Sequence, residues 1–173
     1  MKIELKKISV NLKFSEETTQ FKADIYINDF KAGYAYNDGQ GGSTTYFAYE
    51  GQQSLIKAAE GYCNSLPPMA FSNANRTYEI PMNFEYYIDK LLEQHLNSKE
   101  RERHNKKLNA DMLKGVVFSK SNPDEYYITK WKNNTISTLL QTISGRESLK
   151  QQIRKLKSEG HTILNTNIPK DLL

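Results

Sequence analysis

The stretch Phe21-Lys22-Ala23-Asp24-Ile25-Tyr26-Ile27, then Asn28-Asp29, then Phe30-Lys31-Ala32-Gly33-Tyr34-Ala35-Tyr36 decides the fold class. Phe21, Ala23, Ile25 and Ile27 fall on every second position, the period of a strand with one buried face. Asn28-Asp29 supplies a two-residue hairpin turn, because both side chains tolerate positive φ. A strand, a tight turn and a second strand make an antiparallel pair.

The same pattern extends in both directions. Upstream, Ile8, Val10, Leu12 and Phe14 alternate, whereas Ile3 and Leu5 have the opposite parity; a bulge at Lys6-Lys7 reconciles them. Ser15 to Thr19 is a polar connection. Downstream, the loop Asn37-Asp38-Gly39-Gln40-Gly41-Gly42 leads into Ser43 to Tyr49, rich in Thr and Tyr and read as a fourth strand. These connections are too short for parallel crossovers, so residues 1–50 are expected to form an antiparallel β-meander.

Residues 51–114 read as helical. Leu55, Ile56, Ala59, Tyr62, Cys63 and Leu66 recur at helical spacing up to Pro67-Pro68. Met69 to Met82 reads as irregular. Asn83 then caps a longer helix striped by Phe84, Tyr87, Ile88, Leu91, Leu92 and Leu96. Lys99 to Lys107 is charged throughout and reads as a solvated helical extension or a loop.

Residues 115–131 form a second hairpin around Asn122-Pro123-Asp124. Residues 135–173 carry two helices. Ile136, Leu139, Leu140 and Ile143 face inward in the first. Ser144-Gly145-Arg146-Glu147 opens the second as a capping box, ahead of Leu149, Ile153 and Leu156, and Gly160 stops it. The expectation is one α+β domain over residues 1–173, with helices packed on one face of the meander.

Charge is distributed unevenly. The chain holds 24 Lys and Arg against 20 Asp and Glu; residues 1–100 carry 10 basic against 13 acidic, and residues 101–173 carry 14 against 7. A basic half attracts nucleic acid or an acidic protein surface. Lys99, Arg101, Arg103, Lys106 and Lys107 form one basic segment and Lys150, Arg154, Lys155 and Lys157 a second, so RNA or DNA contact is the alternative reading. Nineteen of the 24 basic residues are Lys, where bidentate phosphate recognition favours Arg. No run of 18 apolar residues occurs and the first residues lack a secretory pattern, so neither export nor a membrane partner is expected. The single cysteine, Cys63, lies within a helical pattern and suits a reducing compartment as a buried, inert thiol.

Catalytic signals are poor. His95, His104 and His161 lack the Cys or carboxylate spacing of a metal site, and no serine lies in a nucleophile elbow. Pro123-Asp124 with Lys130 matches the outer members of a PD-(D/E)xK nuclease motif, but Ile128 stands where the second carboxylate is needed. The reading is a non-enzymatic protein without metal or cofactor. The glycine loop could turn successive N–H groups toward an anion, which keeps a small-ligand site as a further alternative. Tyr34, Tyr36, Tyr46 and Tyr49, in adjacent strands, are the candidate protein-contact patch, with Asn37 and Asp38 of the loop beside them.

The segment Ile25 to Gly42 also resembles a stretch seen in small accessory proteins of bacteriophages and mobile elements, a class that includes anti-CRISPR proteins. The resemblance implies an inhibitor, acting in the cytoplasm of a bacterial host, that occupies a surface of a host defence protein or ribonucleoprotein complex such as a CRISPR effector. It carries over no functional residue.

Overall fold

The computed structural model describes residues 1–72, 77–120 and 125–173, without the side chains of Phe71 and Ser72. The architecture is α+β. Where the sequence reads as one domain, the chain groups into two compact units, Met1–Ser98 and Lys99–Leu173.

The first unit is organised by a four-stranded antiparallel sheet in the order β1-β2-β3-β4, with β1 at Ile3–Val10, β2 at Phe21–Ile27, β3 at Phe30–Asn37 and β4 at Thr45–Ala48. Asn28 and Asp29 close the β2-β3 hairpin with both φ angles positive, 48° and 69°, as their side-chain chemistry requires. The parity conflict in β1 resolves as expected: the register with β2 shifts between Lys6 and Ser9, and Lys7 takes a φ of 51°. Alternation then sorts the side chains. Ile3, Phe21, Ala23, Ile25, Ile27, Ala32 and Ala35 point to one face and are buried.

Two helices cover that face. Helix α1, Gln53–Asn64, contributes Ile56, Ala59 and Cys63, and helix α2, Phe84–Lys114, contributes Phe84, Ile88 and Leu92 to the same core. Asn83 caps α2 as its sequence predicts, its side-chain oxygen accepting from the Tyr86 amide at 2.7 Å. The charged run after Leu96 stays helical through Lys114. Part of the stretch expected to be irregular is strand: β5, Met69–Ser72, pairs antiparallel with β6, Thr77–Ile80. Each strand is only four residues long, too short for a period of two to stand out.

In the second unit, β7, Gly115–Ser119, lies between β8, Tyr127–Lys130, and β9, Thr162–Ile163, and all five of its residues are buried. The turn expected at Asn122-Pro123-Asp124 lies outside the described residues. Asn165 ties the strand to the end of α2. Its Oδ1 accepts from the Val117 amide at 2.6 Å, and its Nδ2 donates to the Met112 and Gly115 carbonyls at 3.2 and 3.1 Å.

Helix α3, Ile136–Leu140, is capped by Thr135, and helix α4, Ile143–Ser158, supplies Leu149, Ile153 and Leu156 to the core. The expected capping box at Ser144 is displaced by two residues: Thr142 caps α4 through the Gly145 amide at 3.0 Å, and Ile143 is 90% exposed rather than inward. Gly145 permits this early start, since a Cβ there would lie 2.3 Å from the Leu139 carbonyl oxygen. Gly160, at φ 82°, ends α4 as expected; its amide donates to the Lys157 carbonyl and that of His161 to the Leu156 carbonyl, the two bonds of a Schellman motif.

Candidate functional site: the open face of the meander

The residues between the buried ones of β2 and β3 form the opposite face of the sheet, and they are aromatic and charged. Tyr34 and Phe47 are direct cross-strand partners with ring centroids 5.5 Å apart. Tyr36 lies 6.5 Å from Tyr34 and 6.4 Å from Phe47, and Tyr49 lies 5.9 Å from Tyr34. Interplanar angles of 10° to 30° among Tyr34, Tyr36 and Phe47 show rings standing face to face on the sheet. Such rings turn their faces to one another and their edges outward. Lysines occupy further faces: Lys22 over Tyr34 at 5.7 Å, Lys31 over Tyr49 at 4.7 Å and Lys6 over Tyr26 at 4.3 Å.

Polar bonds fix the patch to its sheet. The Tyr49 hydroxyl donates to one oxygen of Asp24 at 3.0 Å, and Lys31 pairs with the other at 3.1 Å. Burial alone would push the Asp24 carboxyl up, but these two donors together hold it below the ordinary carboxylate value. At one end of the face the sheet opens into a shallow groove of about 540 Å³, lined by Ser9, Gln20, Lys22, Tyr34, Tyr36 and Asp38 among others.

The structure therefore brings Tyr34, Tyr36 and Tyr49 together, as the sequence leads one to expect, and places Asp38 at the groove. Tyr46 does not join them. It pairs with the inward Ala35, its ring meets Phe84 edge-on at 4.9 Å, and its hydroxyl donates to Glu60 at 2.9 Å. Burial, then the Glu60 bond, pushes its phenol up to about 12. Phe47, 48% exposed, takes the place expected for Tyr46. Parity carried that signal: Phe47 and Tyr49 are two residues apart and share a face of the extended chain, whereas Tyr46 and Tyr49 cannot.

Asn37 lines the same groove and is a buried hydrogen-bonding hub. Its Oδ1 accepts from the Thr18 hydroxyl and the Gly39 amide, both at 2.8 Å, and its Nδ2 donates to the Gly42 carbonyl at 2.9 Å. The glycine loop spends its donors internally. The amides of Gly39, Gln40 and Gly41 donate to Asn37, Asp38 and Thr18 respectively, so the successive N–H groups that would form an anion nest are already bonded.

Lys99, Arg101, Arg103, Lys106 and Lys107 are all exposed on α2. Lys107 lies 5.9 Å from the Tyr126 ring, whose hydroxyl donates to Asp111 at 3.1 Å. On α4, Arg154, Lys155 and Lys157 are exposed and Lys150 is half-buried. Both sets belong to the second unit, whose residues 99–173 hold 15 basic against 8 acidic side chains.

The remaining chemical candidates have structural surroundings. Burial pushes the Cys63 thiol up to about 11, away from the reactive thiolate. His104 packs edge-on to Tyr126, and His161 stacks on Phe118. Among the described residues no three His, Cys, Asp or Glu side chains gather as a metal-binding group, and no helix is long and apolar enough to cross a membrane. Comparison of the chain with protein-family models, with curated proteins and with solved structures finds no match.

Proposed function

We propose that this chain is a non-enzymatic inhibitor that binds a host defence protein or ribonucleoprotein complex, such as a CRISPR effector, through the open face of its meander. The observation that carries the reading is the aromatic group Tyr34, Tyr36, Phe47 and Tyr49 on the sheet face opposite the helix-packed core, with Tyr36 and Phe47 exposed. Tyr and Phe are the side chains in which interface energy concentrates, because a large rigid area is buried at little entropic cost. Base stacking needs a ring face open to solvent. Here the faces are turned to neighbouring rings and lysines, which favours a protein partner. The phage or mobile-element origin rests on the resemblance of Ile25 to Gly42, which spans part of β2, β3 and the glycine loop.

The test is phage plaquing on bacteria protected by CRISPR interference, with the chain expressed in the host. Wild type restores plaquing. A Tyr36→Ala/Phe47→Ala variant binds the effector roughly 10 to 100 times more weakly, the scale of two interface anchors, while its melting temperature falls by only a few degrees. Intact inhibition by a folded double variant, or no inhibition of any defence system by well-expressed wild type, overturns the reading.

The basic second unit supports a second reading, contact with nucleic acid, because the lysines and arginines of its α2 segment are all exposed. If it holds, changing Lys99, Arg103, Lys106 and Lys107 to Glu abolishes RNA or DNA binding at low salt, and the difference shrinks as salt rises.

A further inference from the structure

The groove at the end of the open face differs from the rest of that face in one respect. Two other lysines of the face are paired within the sheet: Lys6 lies 3.6 Å from Glu4 and Lys31 lies 3.1 Å from Asp24. Lys22 makes no ion pair among the described residues. It is exposed, sits between Ser9 and Tyr36 in the strand register, and has the Tyr34 ring 5.7 Å away. Two further donors line the same groove without an internal use: neither the Ser9 hydroxyl nor the Gln20 side-chain amide has a hydrogen bond among the described residues.

We infer that the Lys22 groove anchors the protein contact by receiving an acidic side chain, Asp or Glu, of the partner, with an adjacent apolar partner side chain against Tyr36 and Phe47. The inference rests on the reading of the open face as a protein-binding surface. An ammonium and two neutral donors around a concave site match a carboxylate, which accepts several hydrogen bonds at once. The exposed edges of Tyr36 and Phe47, 38% and 48% exposed, supply the apolar contact beside it. Asp38 sets the orientation. One of its oxygens accepts from the Gln40 amide at 3.2 Å, which holds the carboxylate at the rim; an incoming acid is repelled there and drawn toward Lys22.

The probes are a capped peptide with two glutamates flanking a phenylalanine, its glutamine counterpart, and a single-stranded RNA octamer, each titrated into the labelled full chain and followed by amide chemical shifts. The glutamate peptide is expected to move Ser9, Gln20, Lys22 and Tyr36 and to bind about fivefold more tightly than the glutamine peptide at low salt, the scale of one exposed charge pair. Lys22→Met, which keeps the stem that packs over Tyr34, erases that difference; Lys31→Met leaves it; Asp38→Asn enlarges it. Equal binding of both peptides to the open face, unchanged in Lys22→Met, overturns the acidic anchor while the protein-binding reading of the face stands. If neither peptide moves the face and the RNA shifts only residues of the second unit, both fall together.

Discussion

The two faces of the four-stranded meander come from alternate residues of the same strands, yet they follow different rules. The inner face is Ile3, Phe21, Ala23, Ile25, Ile27, Ala32, Ala35 and the partly buried Tyr46, aliphatic or small apart from two rings and closed under α1 and the start of α2. The outer face is Lys22, Asp24, Tyr26, Lys31, Tyr34 and Tyr36, held by cross-strand rings, lysine stems and the Asp24 bonds to Tyr49 and Lys31. Burying an Ile side chain is worth about 1.5 to 3 kcal/mol, whereas a half-exposed ring on an open sheet contributes a fraction of that through its cross-strand pairs. Folding energy is thereby concentrated on one face of the sheet, which leaves the other free for the contact proposed above. A substitution at one position need not disturb what its neighbour does.

The largest expected effect tests this separation. Ile25→Ala, at a fully buried site, is expected to lower unfolding free energy by about 2 to 5 kcal/mol in urea denaturation, while Tyr36→Ala costs less than about 1 kcal/mol. Equal losses would mean that the outer face is part of the core. Gly39 comes next. With φ at 87° and a Cβ position 2.6 Å from the Phe14 carbonyl oxygen, Gly39→Ala is expected to cost more than about 1 kcal/mol. Gly42→Ala, with ordinary φ and open space around it, is expected to be near neutral. A strong effect at Gly42 would reopen the loop as a binding element.

Tyr46→Phe sharpens the comparison within β4. It removes the Glu60 hydrogen bond, so about 0.5 to 1.5 kcal/mol of stability should go with no change in partner affinity; Phe47→Ala should do the reverse. Melting temperature and affinity measured on both variants decide it.

The smallest effect is a difference in pH dependence. Asp89 sits behind the inner face and accepts from the Thr44 hydroxyl at 2.6 Å. Burial raises its carboxyl, the Thr44 bond opposes that, and Glu85 adds to the rise. A raised acid binds its proton more tightly when folded, so its contribution to stability falls as pH climbs from the ordinary carboxylate value through the raised one. Asp24, lowered, has the opposite sign: its contribution is present above the ordinary value and is lost as pH falls through the depressed one. Asp89→Asn should accordingly be more stable than wild type at neutral pH and equal to it at pH 3. The same advantage at both pH values would refute the assignment.

Legibility in the sequence followed how local each determinant is. Asn28-Asp29, the Lys6-Lys7 bulge, the Asn83 cap and the Gly160 stop are each set by a few adjacent residues, and all four can be read from side-chain chemistry or parity. The strands β5 and β6 are four residues each, too short to show a period, and β9 is a two-residue pairing chosen by Phe118 and Ser119, far away in sequence. The α4 start was misleading because Thr142 and Ser144 are both competent caps; the choice rests on the close approach of Gly145 to Leu139, a tertiary fact. Within the candidate site, composition pointed to tyrosines, but counting residues without following parity placed Tyr46 in the patch and left Phe47 out.

The left-handed Lys7 also bears on how separate molecules meet. β1 is an edge strand of eight residues, long enough to template a foreign strand and seed a fibril. Its ladder breaks between Lys6 and Ser9, and the charged side chains of Glu4, Lys6 and Lys7 stand along the strand. A second chain arriving there would find two short, charged fragments in place of one continuous template, so the kink that lets Ile3 and Ile8 share a sheet also guards that sheet against growing.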